Sequence, residues 1–393
     1  MRVLILANKY PFPARDGSSI AILSSLRAWC MSGAEVHLFA LNPRKSRVKP
    51  DKLPSDLQSR VITHTFDINT DVSATGAITN LLGRRPYHIS RFYRRDIGVW
   101  LDQVLEDNDF DVVQWEGPFM GEYLPHFKQR KCVHWLRAHN IEHRIWQRMA
   151  QRSKNPLKRW YLQIQSRRLR EFELKFARKM DGLLAITSVD LSYFQEKTPQ
   201  LKSLVWLPGL DLRQYPQWVD PQKKSIAAIA SFDWEPNREG MQWFLDEVLP
   251  LLDQGIEVKI GGRNMPSNWL TDYPRVRWTP KVENAHQFVL DACINFVPLW
   301  SGSGIRIKIV EAAGMGIPFV ATSIAAEGSG LTHQQELSIA DTPEEFAAAI
   351  HQLLDTPTLR NEYSQKARTF AFEHYDIQTL GENLIAFYRQ NFS

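Results

Sequence analysis

The 393-residue sequence has few cysteines and no long apolar run. Cys30, Cys132 and Cys293 are too widely spaced to form a disulfide framework or a thiolate metal cluster, so a reducing, cytoplasmic compartment is expected. The longest apolar stretches, such as residues 226–230, are far shorter than the roughly 18 residues of a membrane-spanning helix. The apolar stretch after Met1-Arg2 is too short for a signal peptide, and no internal repeat is present.

Charge is divided unevenly along the chain. Residues 1–208 carry a formal charge of +13 and the remaining residues −8, against +5 for the whole chain. This division suggests that the first half faces an anionic surface or substrate, although solvated helix faces explain it equally well.

Short β-rich runs alternate with amphipathic segments in both halves, as in parallel α/β proteins. In the first half, strands are predicted at residues 3–7, 35–40, 112–115, 132–136 and 183–186, and helical regions at 18–31 and 141–180. In the second half, strands are predicted at residues 226–230, 258–260, 294–297, 319–321 and 337–340, and a last helix at 377–388. Residues 207–224, which are rich in proline, are predicted to be a linker. The pattern predicts two doubly wound domains of similar size with a cleft between them.

The most informative segment runs from Pro298 to Pro318. It predicts a strand that ends in a Gly302-Ser303-Gly304 turn and a helix that begins directly after it. The free N–H groups of such a helix start bind anions, and glycines let a phosphate come close. Arg306 and Lys308 add positive charge where the helix dipole alone would favour acids, and Glu311 follows within reach of a sugar or ribose hydroxyl. A phosphate site is therefore expected, the alternative being an ordinary strand–turn–helix with surface charges.

This segment resembles the donor-binding signature of the family-4 retaining nucleotide-sugar glycosyltransferases, which belong to the glycosyl transferases group 1. The resemblance rests on Gly-Ser-Gly-x-Arg-x-Lys-x-x-Glu-Ala, followed by Gly-x-Pro-x-Val-x-Thr and Ala-Glu-Gly. It extends along nearly the whole chain, through Asp16-Gly17-Ser18, the loop around His139, residues 208–211 and Asp233-Trp234-Glu235-Pro236-Asn237.

The resemblance implies an α/β fold with GT-B architecture, in which two Rossmann-like, doubly wound parallel-sheet domains face each other across a cleft. Residues 1–208 would form a basic N-terminal domain on the acceptor side, and residues 209–375 the nucleotide-sugar donor domain. Residues 376–393 would form a helix that packs back on the N-terminal domain. The implied activity is retaining transfer of a hexose-type sugar from a nucleoside diphosphate to a hydroxyl of a glycan or lipid-linked acceptor. No metal or other cofactor is expected.

The resemblance also implies roles for individual residues. The catalytic candidates are His139, placed against the reacting sugar, and Glu311, which accepts hydrogen bonds from ribose hydroxyls. The donor-binding candidates are Gly17, Ser18, Asn237, Val282, Gly302, Ser303, Gly304, Arg306, Lys308 and Glu311. Arg306 and Lys308 would hold the diphosphate, and the backbone near Val282 would contact the base. Ser303 stands where the family carries the first of two glutamates, and Asn237 stands near the place of its usual Arg and Lys.

Other chemistries compete with this interpretation. His139-Asn140-Ile141-Glu142-His143 fits the His-x-x-Glu-His of one zinc peptidase class, which requires His139 inside a helix and a third ligand. A structural histidine that caps the next helix is a further alternative. Asp109-Phe110-Asp111 matches a metal-binding Asp-x-Asp but directly precedes a predicted strand. No Gly-x-Gly-x-x-Gly follows the first strand, which leaves a dinucleotide oxidoreductase with little support. A sugar-nucleotide epimerase or hydrolase on the same fold remains open.

A basic surface with interleaved aromatic residues is predicted for the first half. Its candidates are Arg84, Arg85, Arg91, Arg94 and Arg95, and residues 152–179 carry ten more Lys or Arg. No known nucleic-acid-binding module surrounds these residues, so no nucleic-acid partner is expected. Because many members of the family modify lipid-linked acceptors, peripheral contact with the inner membrane leaflet is favoured, and a solvated basic face is the alternative.

Overall fold

The computed structural model describes residues 1–14, 16–49, 53–153, 155–301 and 305–392. The chain divides into two compact units. The first consists of Met1–Gly209 together with Leu380–Ser393, and the second of Leu210–Thr379.

The first unit contains a parallel sheet whose described strands have the order β3-β2-β1-β4-β5-β6-β7. These strands are β1 (Arg2–Ala7), β2 (Glu35–Pro43), β3 (Val61–Ile68), β4 (Val112–Glu116), β5 (Val133–Ala138), β6 (Gly182–Ala185) and β7 (Lys202–Val205). The helices are α1 (Gly17–Met31), α2 (Ser55–Gln58), α3 (Ala74–Leu81), α4 (Tyr87–Ser90), α5 (Arg95–Asp107), α6 (Glu142–Arg152), α7 (Pro156–Ala177) and α8 (Ser188–Lys197). Short 3-10 helices lie at Arg44–Ser46 and Gly121–Phe127.

The second unit has a parallel sheet of the same kind, with the described strands in the order β10-β9-β8-β11-β12-β13. These strands are β8 (Ser225–Ser231), β9 (Glu257–Arg263), β10 (Val276–Thr279), β11 (Ile294–Val297), β12 (Phe319–Ala321) and β13 (Ser338–Ile339). The helices are α9 (Glu235–Trp243), α10 (Trp269–Asp272), α11 (Ala285–Leu290), α12 (Ile307–Met315), α13 (Ser323–Ala326), α14 (Pro343–Asp355) and α15 (Pro357–Tyr375). A π-helical turn at Phe244–Val248 and 3-10 helices at Leu212–Gln214 and Leu249–Leu251 complete the unit.

In both sheets the strand order reverses beside the first strand of the unit. β1 lies between β2 and β4, and β8 lies between β9 and β11. Because all pairs are parallel, the carboxyl ends of the strands lie at one edge of each sheet. In doubly wound sheets, ligands bind outside these carboxyl ends where the order reverses. The segments after β1 and β4, and after β8 and β11, are therefore the places where a site is expected.

The α/β class and the two Rossmann-like parallel sheets predicted from the sequence are confirmed. The central strands are predicted best because they are buried on both faces, and residues 3–7 of β1 are fully buried. The helical region predicted at residues 141–180 consists of two helices, α6 and α7. The second begins at Pro156, where the side chain of Asn155 accepts the N–H of Lys158 at 3.1 Å, an N-cap that starts a new helix.

The segment predicted as a linker is packed within the second unit after Gly209. Leu212 and Trp218 are buried. The backbone N–H of Trp218 donates to the carbonyl of Met315 at 2.8 Å, and its indole N–H donates to the carbonyl of Ala292 at 2.9 Å. The prolines suggested an exposed connection, but the apolar residues between them bury it.

The last helix, α16 (Ile377–Phe392), belongs to the first unit from Leu380 onwards. The indole N–H of Trp206 donates to the carbonyl of Leu380 at 2.8 Å. The ring of Trp135, in β5, has its centroid 5.6–5.8 Å from the rings of three aromatic residues of this helix: Phe387, Tyr388 and Phe392. These contacts cover the apolar face of α16.

Candidate active site

His139 lies in the connection between β5 and α6, outside any helix. Its Nε2 atom lies 2.5 Å from Oε2 of Glu116, the last residue of β4, and its side chain is only 7% exposed. The zinc peptidase class with His-x-x-Glu-His requires both histidines on one helix, and the position of His139 does not meet this requirement.

His143, four residues further on, contacts a different carboxylate. Its Nδ1 lies 2.6 Å from Oε2 of Glu173 in α7, and its Nε2 lies 3.4 Å from the hydroxyl of Tyr193. Burial, together with the negative charge of Glu173, raises the pKa of Glu142 to about 8. Across the described ranges, no three His, Cys, Asp or Glu side chains are grouped as metal ligands. The geometry therefore gives the zinc-peptidase alternative no support.

The first turn of α6 is not capped by His139. The N-cap residue is Ile141, which makes no side-chain cap. Instead, Oε1 of Glu173 accepts the N–H of Glu142 at 2.9 Å. The alternative in which His139 is a structural helix cap is therefore wrong, because Glu173 satisfies that N–H group.

Gly17 and Ser18 form the first turn of α1, which follows the loop at the carboxyl end of β1. Both are exposed. The N-cap residue Asp16 accepts the N–H of Ser19 at 2.9 Å and lies 2.5 Å from Nζ of Lys9. Gly17 has nothing within 4 Å of the place where a Cβ would stand, so its backbone is accessible to a bound molecule.

Arg306 and Lys308 lie at the start of α12, which follows β11. Arg306 is the N-cap residue and is 6% exposed. Burial and the positive charge of Arg306 lower the pKa of Lys308 to about 8. Burial also lowers the pKa of Arg306, and the negative charge of Glu327 opposes that change. The predicted residues Gly302, Ser303 and Gly304 lie outside the described residues.

Asn237 is brought to the same place from α9, the helix after β8. Its Nδ2 donates to the carbonyl of Ser231 at 2.9 Å, and its Oδ1 accepts from Nζ of Lys308 at 3.2 Å. The amide thereby fixes the ammonium group near Arg306. Two positive charges that lie close together in a partly buried site repel each other. A bound anion offsets this repulsion.

Glu311, in the second turn of α12, lies beside two aromatic side chains. Its Oε1 accepts from the hydroxyl of Tyr215 at 3.2 Å and lies 3.7 Å from Nε2 of His286. The rings of Tyr215 and His286 meet edge to face with centroids 4.7 Å apart. The side chain of Glu311 is 28% exposed and that of His286 36%. This carboxylate is therefore accessible to hydroxyl groups, with aromatic surface next to it.

Sequence reasoning did not identify Tyr215 or His286. Tyr215 lies in the segment that was predicted to be a linker, and His286 lies on the short helix α11. Neither belongs to a recognisable motif. Val282 lies shortly before α11 and packs against β9, where a Cβ on Gly261 would come within 2.6 Å of its side chain.

The five predicted surface arginines differ in their surroundings. Arg84, Arg85 and Arg95 are exposed, and Arg85 pairs with Glu122 at 2.9 Å. Arg91 is partly buried and donates to the carbonyl of Thr70 at 3.2 Å. Arg94 is exposed, forms an ion pair with Asp96 and lines a cavity of about 660 Å³ at the ends of β2 and β3. These residues are therefore not one free basic face.

Exposed apolar side chains lie on neighbouring helices of the same unit. Leu82, directly after α3, is 93% exposed, and Leu157 and Trp160 near the start of α7 are 77% and 54% exposed. Arg168 of α7 donates to the carbonyl of Asn80 at 3.0 Å, which joins the two helices. Among the described residues, no helix combines the length and apolar character needed to cross a membrane.

Residues 223–356 match the family model described as Glycosyl transferases group 1. An uncharacterized 44.6 kDa protein in the cps region of Klebsiella pneumoniae is 19% identical over 391 residues, which is 95% of this chain and 96% of that protein. Sucrose-phosphate synthase from Thermosynechococcus elongatus superimposes with a TM-score of 0.67 at 11% identity, over 99% of both chains. Anabaena HepE in complex with UDP-glucose superimposes with a TM-score of 0.64 at 11% identity, over 99% of this chain and 100% of that chain.

The family match lies within the second unit and includes Asn237, Arg306, Lys308 and Glu311. The structural likeness extends over both units and shows the shared fold. The second unit thus matches the group 1 glycosyltransferases over residues 223–356, and the chain has the GT-B fold of glycosyltransferases.

Proposed function

We propose that this protein is a glycosyltransferase that transfers a hexose-type sugar, with retention of its anomeric configuration, from a nucleoside diphosphate to a hydroxyl of a glycan or lipid-linked acceptor. The observation that carries the proposal is the pair of cations at the start of α12, Arg306 and Lys308. Both residues lie at the start of the helix that follows the carboxyl end of β11. β11 is next to β8, where the strand order reverses and where ligands bind in such sheets.

The diphosphate is the part of the donor that the cations bind, and it is also the leaving group of the reaction. As the bond to the sugar breaks, negative charge grows on the departing phosphate, and fixed positive charges near it lower the barrier. Arg306 offers a planar set of N–H donors, and Lys308 offers an ammonium held by Asn237 at 3.2 Å. The N-terminal amides of α12 add further donors in the same direction.

The nucleoside is proposed to bind beside Glu311. Its Oε1 is engaged by Tyr215, which leaves Oε2 to accept from ribose hydroxyls. The ring of His286 and the backbone near Val282 border the space in which the base would lie. UDP-glucose, the donor bound in the Anabaena structure, is a reasonable first test compound.

In the first unit, His139 is proposed to contact the transferred sugar, with Gly17 and Ser18 contacting the donor through the start of α1. The sugar gains positive charge in the transition state, so a residue that fixes its position acts mainly on the rate. No metal ion is assigned a role in this mechanism.

The acceptor side is proposed to lie at a membrane surface. Leu82, Leu157 and Trp160 are exposed, and exposed basic residues, among them Arg84 and Lys158, lie beside them. Apolar side chains that enter the interface, combined with cations that attract anionic headgroups, are typical of proteins that bind membranes peripherally. We expect the protein to act on the inner leaflet from the cytoplasm.

The diphosphate assignment predicts a selective effect of Arg306→Ala. The variant should bind UDP or another nucleoside diphosphate about 10- to 150-fold more weakly, since a hydrogen bond to a charged group contributes roughly 1.5–3 kcal/mol. Binding of the corresponding nucleoside should change little. Titration calorimetry measures both, with Arg277→Ala, an exposed cation of the same unit, as control. Equal losses for nucleoside and diphosphate would contradict the assignment.

The role of His139 is tested by turnover. Wild-type protein should release the free nucleoside diphosphate from one member of a panel of UDP-glucose, UDP-galactose, UDP-N-acetylglucosamine, GDP-mannose and ADP-glucose, and a membrane lipid extract as acceptor should accelerate the release. His139→Ala should lower kcat about 10- to 100-fold with little change in donor affinity. His143→Ala, which loses the contacts with Glu173 and Tyr193, should keep most of the activity, and EDTA should have no effect.

Other outcomes of the same assay point elsewhere. Isomerised sugar nucleotide without release of diphosphate would indicate an epimerase. Equal, large losses in the two histidine variants, with activity restored by zinc, would overturn the assignment of this loop.

The membrane proposal predicts binding to vesicles that contain phosphatidylglycerol and weaker binding to pure phosphatidylcholine. Raising the salt from 0.15 M to 1 M shortens the screening length from about 8 Å to about 3 Å and should release the protein. The double variant Leu157→Ser with Trp160→Ser should bind several-fold more weakly in a flotation assay, whereas Val219→Ser, an equally exposed apolar residue of the second unit, should bind normally. If vesicle binding changes neither with the charge of the lipid nor with these substitutions, a soluble acceptor is favoured.

A further inference from the structure

A cluster of buried polar side chains lies directly behind His139, and the proposed function makes no use of it. Its members are Ser25 of α1, Gln114 and Glu116 of β4, and Arg137 of β5. Gln114 and Glu116 are two residues apart in β4, so both point to the same face of the sheet. Arg137 is the register partner of Glu116 on the neighbouring strand. All four are at most 2% exposed.

Both oxygens of Glu116 are engaged within this cluster. Oε1 accepts from the hydroxyl of Ser25 at 2.6 Å and from Nε2 of Gln114 at 2.7 Å. Oε2 lies 2.5 Å from Nε2 of His139. Burial by itself raises the pKa of this carboxyl group, but the hydrogen bond of His139 and the charge of Arg137 outweigh burial and hold the pKa at about 2. These contacts therefore favour the ionised, carboxylate form of Glu116.

Arg137 supplies the balancing positive charge. Its guanidinium donates to the carbonyl of Ala21 at 2.5 Å and to the hydroxyl of Ser25, and it lies 4.0 Å from the ring centroid of Trp206. Burial lowers its pKa to about 10, and the charge of Glu116 opposes this shift, so Arg137 remains a cation. Buried ion pairs usually stabilise a fold no more than well-packed apolar side chains do. The cluster therefore has no evident value for stability alone, and its place behind His139 suggests a role in orienting that residue.

The ionised carboxylate also fixes where the hydrogen of the imidazole lies. A carboxylate can only accept, so the hydrogen of the 2.5 Å contact belongs to Nε2 of His139. A neutral imidazole carries one hydrogen, and Nδ1 is then left with its lone pair. Within the part of the chain that the structure describes, Nδ1 makes no hydrogen bond, so it is available to a bound molecule.

We propose that Glu116 is a positioning residue for sugar transfer: it holds the Nε2–H of His139, so that the Nδ1 lone pair accepts a hydrogen bond from a hydroxyl of the transferred sugar. The proposal rests on the proposed function, in which His139 contacts that sugar. Glu116 itself touches neither donor nor acceptor. Ser25, Gln114 and Arg137 keep it ionised and keep its second oxygen turned away from the ring.

The first experiment uses the wild-type protein and needs no activity. With ¹⁵N-labelled histidine, the ring nitrogens of His139, assigned by comparison with His139→Ala, should show hydrogen on Nε2 and none on Nδ1 at pH 8. Hydrogen on Nδ1, whether alone or on both nitrogens, would overturn the proposal. This result is obtained even if substitutions of the buried glutamate fail to fold.

The second experiment is the substitution Glu116→Gln, which preserves the size of the side chain. Its amide can donate to the imidazole and reverse the tautomer, so kcat for diphosphate release should fall at least about tenfold while the KM for the donor stays within about twofold. The double variant Glu116→Gln with His139→Ala should be no slower than His139→Ala alone, since both changes remove one interaction.

The matched control is Glu173→Gln. Glu173 is 1% exposed and pairs with His143 at 2.6 Å, so the substitution removes a second buried histidine–glutamate contact of the same unit. It should reduce stability to a similar degree and leave kcat within about threefold. If Glu116→Gln retains full kcat while His139→Ala loses it, Glu116 has no positioning role although the proposed function stands. If His139→Ala also retains full kcat, the proposed role of His139 is itself wrong.

Discussion

Parallel pairing of strands is the constraint on which the site depends in each unit. Because parallel strands all end at the same edge, residues that are far apart in sequence reach one place without any long loop. Asn237 after β8 and Lys308 after β11 meet in this way at 3.2 Å, although 71 residues separate them. Glu116 at the end of β4 and His139 directly after β5 meet in the same way in the first sheet. In both sheets the strand order reverses beside the first strand, β1 or β8, which is where ligands bind in doubly wound sheets.

The two units differ in their buried charges: the first contains a pair of opposite charges, and the second contains a pair of like charges. Behind His139, the charges of Glu116 and Arg137 balance, and hydrogen bonds engage both oxygens of the carboxylate. At the start of α12, Arg306 and Lys308 have charges of the same sign, and burial together with the charge of Arg306 lowers the pKa of Lys308 to about 8. A balanced cluster holds a side chain in one orientation. The two like charges repel each other, and a bound anion reduces this repulsion. The pair therefore favours binding of a ligand with more than one negative charge.

The sequence predicted the central strands and the fold class but not three strands, β3, β7 and β10, all of which are at sheet edges. Edge strands are partly exposed, and β3 has only Val61 and Ile68 buried, so no apolar run marks it. Within the site, Arg306, Lys308 and Glu311 could be predicted because they lie in one contiguous motif. Glu116, Tyr215 and His286 could not be predicted. Each contacts residues that are distant in the sequence, so no local motif marks it.

The central claim is that Arg306 and Lys308 hold the diphosphate of the donor. It is tested most directly by the pH dependence of diphosphate binding to the wild-type protein, measured by calorimetry with UDP, GDP and ADP. A bound diphosphate favours the protonated form of Lys308, whose pKa in the free protein is lowered to about 8. The dissociation constant of the preferred nucleotide should therefore be nearly constant between pH 7 and 7.5 and rise above pH 8, by at most about tenfold per pH unit. A dissociation constant that does not change up to pH 9.5, or the absence of binding by all three nucleotides, would contradict the claim.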